Sequence, residues 1–358
     1  MKRLKKITQT SAMAIDVLAK SLPGKIYNLA AGDPDLPVCR ALEDACRSND
    51  PGDSHRYGSS QGDPQLRAKL RKNPAEVILA NGAKQLIYMA LAAVTRPGDT
   101  VVLIGPCWAS YMKICELLGL RCTLAIGEKE EHFVPSAALL ETLITPETAA
   151  VLINNPNNPT GVVYPEDYMC SLLNLVRKND TYLISDEVYR YLADPQQVKL
   201  VPTLRGEKNV ITIDGFSKCL NITGWRLGYA IASAELIETM TGIQSQISGP
   251  PNTMIQKIVC DAWENLQFTD YEAYRKRMEL LGQLENFRPY RPRAGFYYFL
   301  PIADHWKNSR ELCEYMLKEH CIAVTPGDDY GVERTVRVSA AAVNEEDLRE
   351  ILAFLLEI

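Results

Sequence analysis

Val210-Ile211-Thr212-Ile213-Asp214-Gly215-Phe216-Ser217-Lys218, with Thr223-Gly224-Trp225-Arg226-Leu227-Gly228-Tyr229 close behind, decides how this chain is read. The strand-like run Val210–Ile213 delivers Lys218 among small and apolar neighbours, where it cannot reach bulk water as a surface lysine does. Partial desolvation lowers the pKa of an ammonium and exposes a nucleophilic amine, which Schiff-base chemistry with an aldehyde requires. Arg226, eight residues on, is a fixed cation able to hold a phosphate in a bidentate fork. An amine and a phosphate anchor at this spacing suggest pyridoxal phosphate.

Outward from this stretch, short apolar runs alternate with amphipathic ones. Val77–Ala80, Val101–Ile104, Arg121–Ile126, Ala150–Ile153, Tyr182–Ser185, Val210–Ile213 and Gly228–Ala232 read as strands. Lys84–Thr95, Ala109–Leu118, Pro165–Arg177 and Ala234–Gln246 read as helices. Strands separated by helices indicate βαβ units and a mostly parallel sheet with helices on both faces, an α/β fold. Such sheets bind ligands at the carboxyl ends of their strands. Pro250-Pro251 breaks the pattern; a helical region Met254–Leu284, a strand Phe296–Leu300 and a terminal helix Glu345–Glu357 follow. The division expected is a large domain over 40–250 and a smaller α+β domain made of 1–39 and 251–358.

The chain has 358 residues, 46% hydrophobic and 23% charged, with a net charge of −5. Those values fit a soluble globular protein and give no basic footprint for nucleic acid or an anionic membrane. No apolar run approaches the roughly 18 residues that span a bilayer, and the N-terminal end lacks a secretory h-region. The ten cysteines are scattered with no Cys-x-x-Cys pair, which reads as reduced thiols in the cytoplasm. Four histidines without metal-ligand spacing argue against zinc.

Several loops after strands carry candidate chemistry. Asn154-Asn155-Pro156-Asn157-Asn158-Pro159-Thr160-Gly161 is plainly a turn, yet an asparagine there could bond the phenolate oxygen of a pyridine cofactor. In Ser185-Asp186-Glu187-Val188-Tyr189, Asp186 is either a solvated or capping carboxylate or the partner of a pyridine nitrogen. Gly82-Ala83-Lys84-Gln85 opens a helix whose free N–H groups make a phosphate cradle. Trp108, in Pro106-Cys107-Trp108, is a core aromatic or a face stacked on the ring.

Together these motifs resemble the class I and II aminotransferases, fold-type I pyridoxal phosphate enzymes. The resemblance runs from Asn28-Leu29-Ala30-Ala31-Gly32-Asp33-Pro34-Asp35 to Val336-Arg337-Val338-Ser339, with the motifs in family order. The look is that of the aspartate-aminotransferase subgroup with Gly-x-Lys-Gln and Thr-Gly-Trp-Arg. The resemblance implies that Lys218 forms the Schiff base and shuttles a proton. It implies that Asp186 pairs with the pyridinium, that Tyr189 and Asn158 bond the phenolate oxygen, and that Trp108 stacks on the ring. Ser217, Arg226 and the backbone of Ala83 and Lys84 would hold the phosphate. Tyr57 would reach the phosphate of the neighbouring subunit, so a homodimer is implied. Arg337, helped by Asn158 and the Gly32 backbone, would bind the substrate α-carboxylate.

The resemblance implies amino-group transfer from an α-amino acid to a 2-oxo acid such as 2-oxoglutarate. Lys84 would meet a distal carboxylate if the donor is aspartate-like; otherwise it is a solvated first-turn lysine. A carbon–sulfur β-lyase shares the motif set and stands as the alternative. A regulator that reuses the fold would need a DNA-binding module ahead of Asn28, where 27 residues stand. A nicotinamide dehydrogenase would need Gly-x-Gly-x-x-Gly after a strand, which the chain lacks. Two departures from the family are a short segment between Arg67 and Asn81, and glycine at 215 where many relatives carry a phosphate-binding hydroxyl.

Overall fold

A computed structural model describes residues 11–50, 52–193, 207–270 and 272–358. After a two-residue strand β1 (Tyr27–Asn28), seven strands make the main sheet. They are β2 (Val77–Ala80), β3 (Thr100–Ile104), β4 (Arg121–Ala125), β5 (Thr148–Asn154), β6 (Tyr182–Asp186), β7 (Val210–Gly215) and β8 (Gly228–Ile231). Their order is β2-β8-β7-β6-β5-β3-β4, and β8 alone runs antiparallel to its neighbours. The inner strands are apolar on both faces because both faces are covered, as parallel sheets require.

Alternation within the strands sorts side chains to two layers. Ile78, Val101, Leu103, Ile211 and Ile213 pack under the helices Ala83–Val94, Ser110–Leu118 and Ala234–Ile247. Val102, Ile104, Val151, Ile153 and Leu183 face the helix Glu166–Lys178 on the opposite side. Sequence and structure agree on these elements to within a residue or two at most ends.

A second, smaller unit contains the antiparallel strands β9 (Tyr297–Pro301), β11 (Thr325–Pro326) and β12 (Thr335–Ser339), in the order β11-β12-β9. Strand β10 (Ile322–Ala323) pairs in parallel with β1, so the N-terminal segment is stitched to this unit. Helices Glu272–Leu281, Ser309–His320 and Glu345–Leu355 enclose its core around Tyr274, Phe287, Phe296 and Met316.

Two differences from the sequence reading have local causes. The helical region 254–284 is divided into two helices, Thr253–Ala262 and Glu272–Leu281. The chain between them is tied to the Lys218 loop: Thr269 N–H donates to the Cys219 carbonyl at 2.6 Å, and Phe268 stacks on Tyr191 at 4.5 Å. The helix Thr253–Ala262 also lies with the larger layer, its Ile258 and Val259 packed with Val77 and Leu79. Pro250-Pro251 interrupts the helical run without ending that layer, so the packing does not follow a division at residue 251.

Candidate active site

The carboxyl ends of β3, β5, β6 and β7 open on one cavity of about 440 Å³, roofed by residues 30–33 and by Arg337 of β12. The crevice lies where the strand order reverses, between β3 and β5, the position at which open α/β sheets bind ligands.

Lys218 enters from the short helix Phe216–Cys219 that follows β7. Phe216 and Cys219 are buried beneath it, which turns Ser217 and Lys218 toward the cavity. The Lys218 Nζ donates to the Gly32 carbonyl at 2.5 Å. Burial brings its pKa down to about 8; nearby Asp33 opposes the shift, while Arg337 and Arg226 add to it. A group so placed exchanges between ammonium and free amine near neutral pH.

An anion cradle stands opposite. Gly82 caps the twelve-residue helix Ala83–Val94 at φ +88°, and among the described residues no side-chain cap closes its first turn. A Cβ on Gly82 would lie 2.6 Å from the Arg226 guanidinium, so only glycine lets the arginine this close to the helix end. Arg226 itself is left-handed at φ 57° and is steadied by a 2.9 Å bond from Nη1 to the Thr223 carbonyl. Backbone donors, the dipole end and a guanidinium converge there, with Ser217 on the same cavity wall. Gly215 is not sterically required, because a Cβ would meet only Leu227 and Gly228 backbone at 3.4 and 3.5 Å.

Asp186 ends β6 and is 3% exposed. Burial raises its pKa to about 6, against the bonds from Tyr111 (2.5 Å) and the Val188 N–H (3.3 Å). It is thus a desolvated carboxylate whose two bonding partners are both neutral.

The asparagine-rich loop after β5 is held by its own amides. Asn154 Nδ2 donates to the Asp186 carbonyl at 2.9 Å, and its Oδ1 accepts the Asn158 N–H at 2.7 Å. Asn157 bonds the Pro106 carbonyl, so the loops after β3 and β5 are fastened together. Asn158 is left facing inward, donating to the Tyr189 hydroxyl at 3.3 Å and accepting from Arg337 Nη1 at 3.1 Å. Arg337 is 3% exposed and also donates from Nη2 to the Ala30 carbonyl at 2.5 Å. Among the described residues its Nε is buried without a hydrogen-bond partner.

Gly32, Ala83, Lys84, Trp108, Asn158, Asp186, Tyr189, Ser217, Lys218, Arg226 and Arg337 all line this cavity. Trp108 stands edge-on to Tyr111 at 5.6 Å, with the Lys84 ammonium 4.8 Å over its ring. Enclosure by the wall, and then Arg226, lower the Lys84 pKa. Tyr57 is not brought there: it is 95% exposed. Sequence reasoning did not single out Tyr111, Asn154, Thr223 or Tyr297, which also line the cavity. Asn154 was legible as the last residue of a strand, and Tyr111 as the first-turn residue three after Trp108. Tyr297 carries only the period-2 signal of a strand.

Fold and site define a class of enzyme, and comparison with known proteins agrees. A family model described as Aminotransferase class I and II matches residues 24–355, and the chain belongs to that family. It is 31% identical to the aspartate/prephenate aminotransferase of Thermus thermophilus over 98% of this chain and 96% of that one. It is 32% identical to the aspartate aminotransferase of Thermotoga maritima, over 95% and 94%. The structure of the aspartate aminotransferase from Thermus thermophilus with maleate superposes with a TM-score of 0.88 at 28% identity, covering 99% of both chains. The fold is therefore fold-type I, and the chain is an aminotransferase.

Proposed function

We propose that this aminotransferase works with pyridoxal 5'-phosphate held at Lys218 and takes acidic α-amino acids as donors. The observation that carries the reading is the convergence in one cavity of three groups. A desolvated amine (Lys218) suits an aldehyde, a cradle of N–H groups with Arg226 suits a phosphate, and a buried carboxylate (Asp186) suits a cationic ring nitrogen. Ser217, Arg226 and the Ala83 and Lys84 backbone would hold the phosphate. Tyr189 and Asn158 would bond the phenolic oxygen, and Trp108 would wall the ring.

When bound, this cofactor supplies an electron sink that weakens the Cα–H bond of an amino acid. The chain's own residues do the rest. Arg337 binds the α-carboxylate: of its five N–H donors, two are spent on Asn158 and Ala30, and the Nε is unpartnered among the described residues. Lys218, with its pKa near 8, takes the Cα proton and gives it back as general base and acid. Asp186, kept from water, holds the ring nitrogen protonated. Among the described residues that line the cavity, Lys84 is the cation left for a distal carboxylate, since Lys218 is committed to the cofactor, Arg226 to the cradle and Arg337 to the α-carboxylate.

The same reading carries a homodimer in which Tyr57 reaches the partner's phosphate. Its 95% exposure supports a role outside its own subunit, as do Val17, Leu18, Ile247 and Met254, all exposed. The partners are amino acids and 2-oxo acids, in the cytoplasm. Among the described residues no helix is long and apolar enough to cross a membrane.

The test is a single half-reaction followed by spectrum and product. Aspartate or glutamate mixed with the pyridoxal phosphate form should yield the pyridoxamine form and one equivalent of the 2-oxo acid. Pyruvate and ammonia released from a cysteine conjugate without an acceptor, and no oxo acid from aspartate, would replace transfer with β-elimination.

A further inference from the structure

Tyr297 lies in β9, on the face of the strand turned to the cavity, and its ring packs under the Arg337 guanidinium at 4.4 Å. Its hydroxyl is wedged between two site residues. It stands 3.1 Å from the Tyr189 hydroxyl, and a Cβ on Gly32 would fall 2.0 Å from it.

Donor–acceptor logic fixes much of the bonding here. Arginine can only donate, so the Asn158 oxygen faces Arg337 and its Nδ2 faces Tyr189. The Tyr189 oxygen therefore already accepts one bond. A phenol has two lone pairs and one proton, which leaves one lone pair and the proton to place. Burial raises the pKa of both phenols, so each keeps a proton to donate.

We infer that Tyr297 is a positioning residue whose hydroxyl donates to Tyr189 and turns the Tyr189 proton into the cavity, toward the phenolic oxygen of the bound cofactor. The inference rests on the pyridoxal phosphate reading of the site. A donor that itself accepts a hydrogen bond is polarised and donates more strongly. A stronger bond to the phenolic oxygen favours its ionised form, and so lowers the pH midpoint of the cofactor's visible colour change.

Titrating the colour of four holoenzymes tests this: wild type, Tyr297→Phe, Tyr189→Phe and the double variant. Tyr297→Phe keeps the ring under Arg337 and removes one hydroxyl. It should retain the cofactor and raise the midpoint by about half a pH unit, a threefold change in the protonation equilibrium. Tyr189→Phe should raise it further, and adding Tyr297→Phe to that background should change nothing more. An unmoved midpoint in Tyr297→Phe, an equal shift in both backgrounds, or loss of bound cofactor from Tyr297→Phe overturns the inference. A wild-type protein that shows no colour at all fails the cofactor reading instead, which is a separate outcome.

Discussion

The Lys218 ammonium is held by the carbonyl of Gly32, 186 residues earlier in the chain, at 2.5 Å. That bond joins the loop after β7 to the segment that follows β1, so the reactive amine sits on the seam between the main sheet and the N-terminal strap. It gives the amine a defined resting place while burial keeps its pKa low.

The first consequence is kinetic. Only the free amine attacks an aldehyde, so the rate at which cofactor-free protein captures pyridoxal phosphate should climb about tenfold per pH unit below about 8 and flatten above it. Stopped-flow absorbance reads this directly. A rate still climbing steeply at pH 10 would mean an ordinary surface-like lysine. Lys218→Ala should leave nothing for borohydride to fix.

Asp186→Asn should divide apoprotein stability from activity. The folded carboxyl titrates near 6 and the unfolded one at 3.8, so the raised pKa penalises the folded state above pH 6, by on the order of 3 kcal/mol, and not below about 4. The asparagine variant removes that penalty. Cofactor-free Asp186→Asn should therefore melt higher than wild type at pH 7.5, with the gain gone at pH 4. Its aminotransferase rate should fall by roughly 100-fold or more, because a neutral amide cannot hold the ring nitrogen protonated. Equal melting temperatures at pH 7.5 would contradict the buried-charge argument.

Gly32→Ala puts a methyl group 2.0 Å from the Tyr297 hydroxyl. Overpacking of this kind costs about 1–3 kcal/mol, and denaturant unfolding should show a loss in that range. Combining it with Tyr297→Phe should recover part of the loss. If the single variant is as stable as wild type, the wedge is looser than described.

Donor choice turns on Lys84. Lys84→Ala should lower kcat/KM for aspartate by about 10- to 100-fold more than for alanine or phenylalanine, the worth of one charge-assisted hydrogen bond. Equal losses across the donors would remove Lys84 from specificity and leave its ammonium merely resting over Trp108.

The main sheet was readable because most of its inner strands carry apolar runs rich in Val, Ile and Leu. Burial of both faces demands that pattern, and it survives in one dimension. Lys218, Asp186 and Asn158 were readable for a related reason: each sits at or just past the end of such a run, at the carboxyl end of the sheet. The break at 266–270 was not readable, since it depends on Thr269 and Phe268 finding Cys219 and Tyr191 across the fold. Nor was the layer that Thr253–Ala262 joins, which is decided by Val77 and Leu79 rather than by Pro250-Pro251.

By itself the sequence determined which residue types stand at the ends of which strands, and through them an amine, an anion cradle and a buried carboxylate. Those follow from local periodicity and from glycines that admit a close backbone approach. The tertiary structure alone decided that Gly32 bonds Lys218, that Tyr111 bonds Asp186 and that Tyr297 meets Tyr189. Each pair joins positions 75 to 186 residues apart, brought within hydrogen-bond reach by packing that no local pattern encodes.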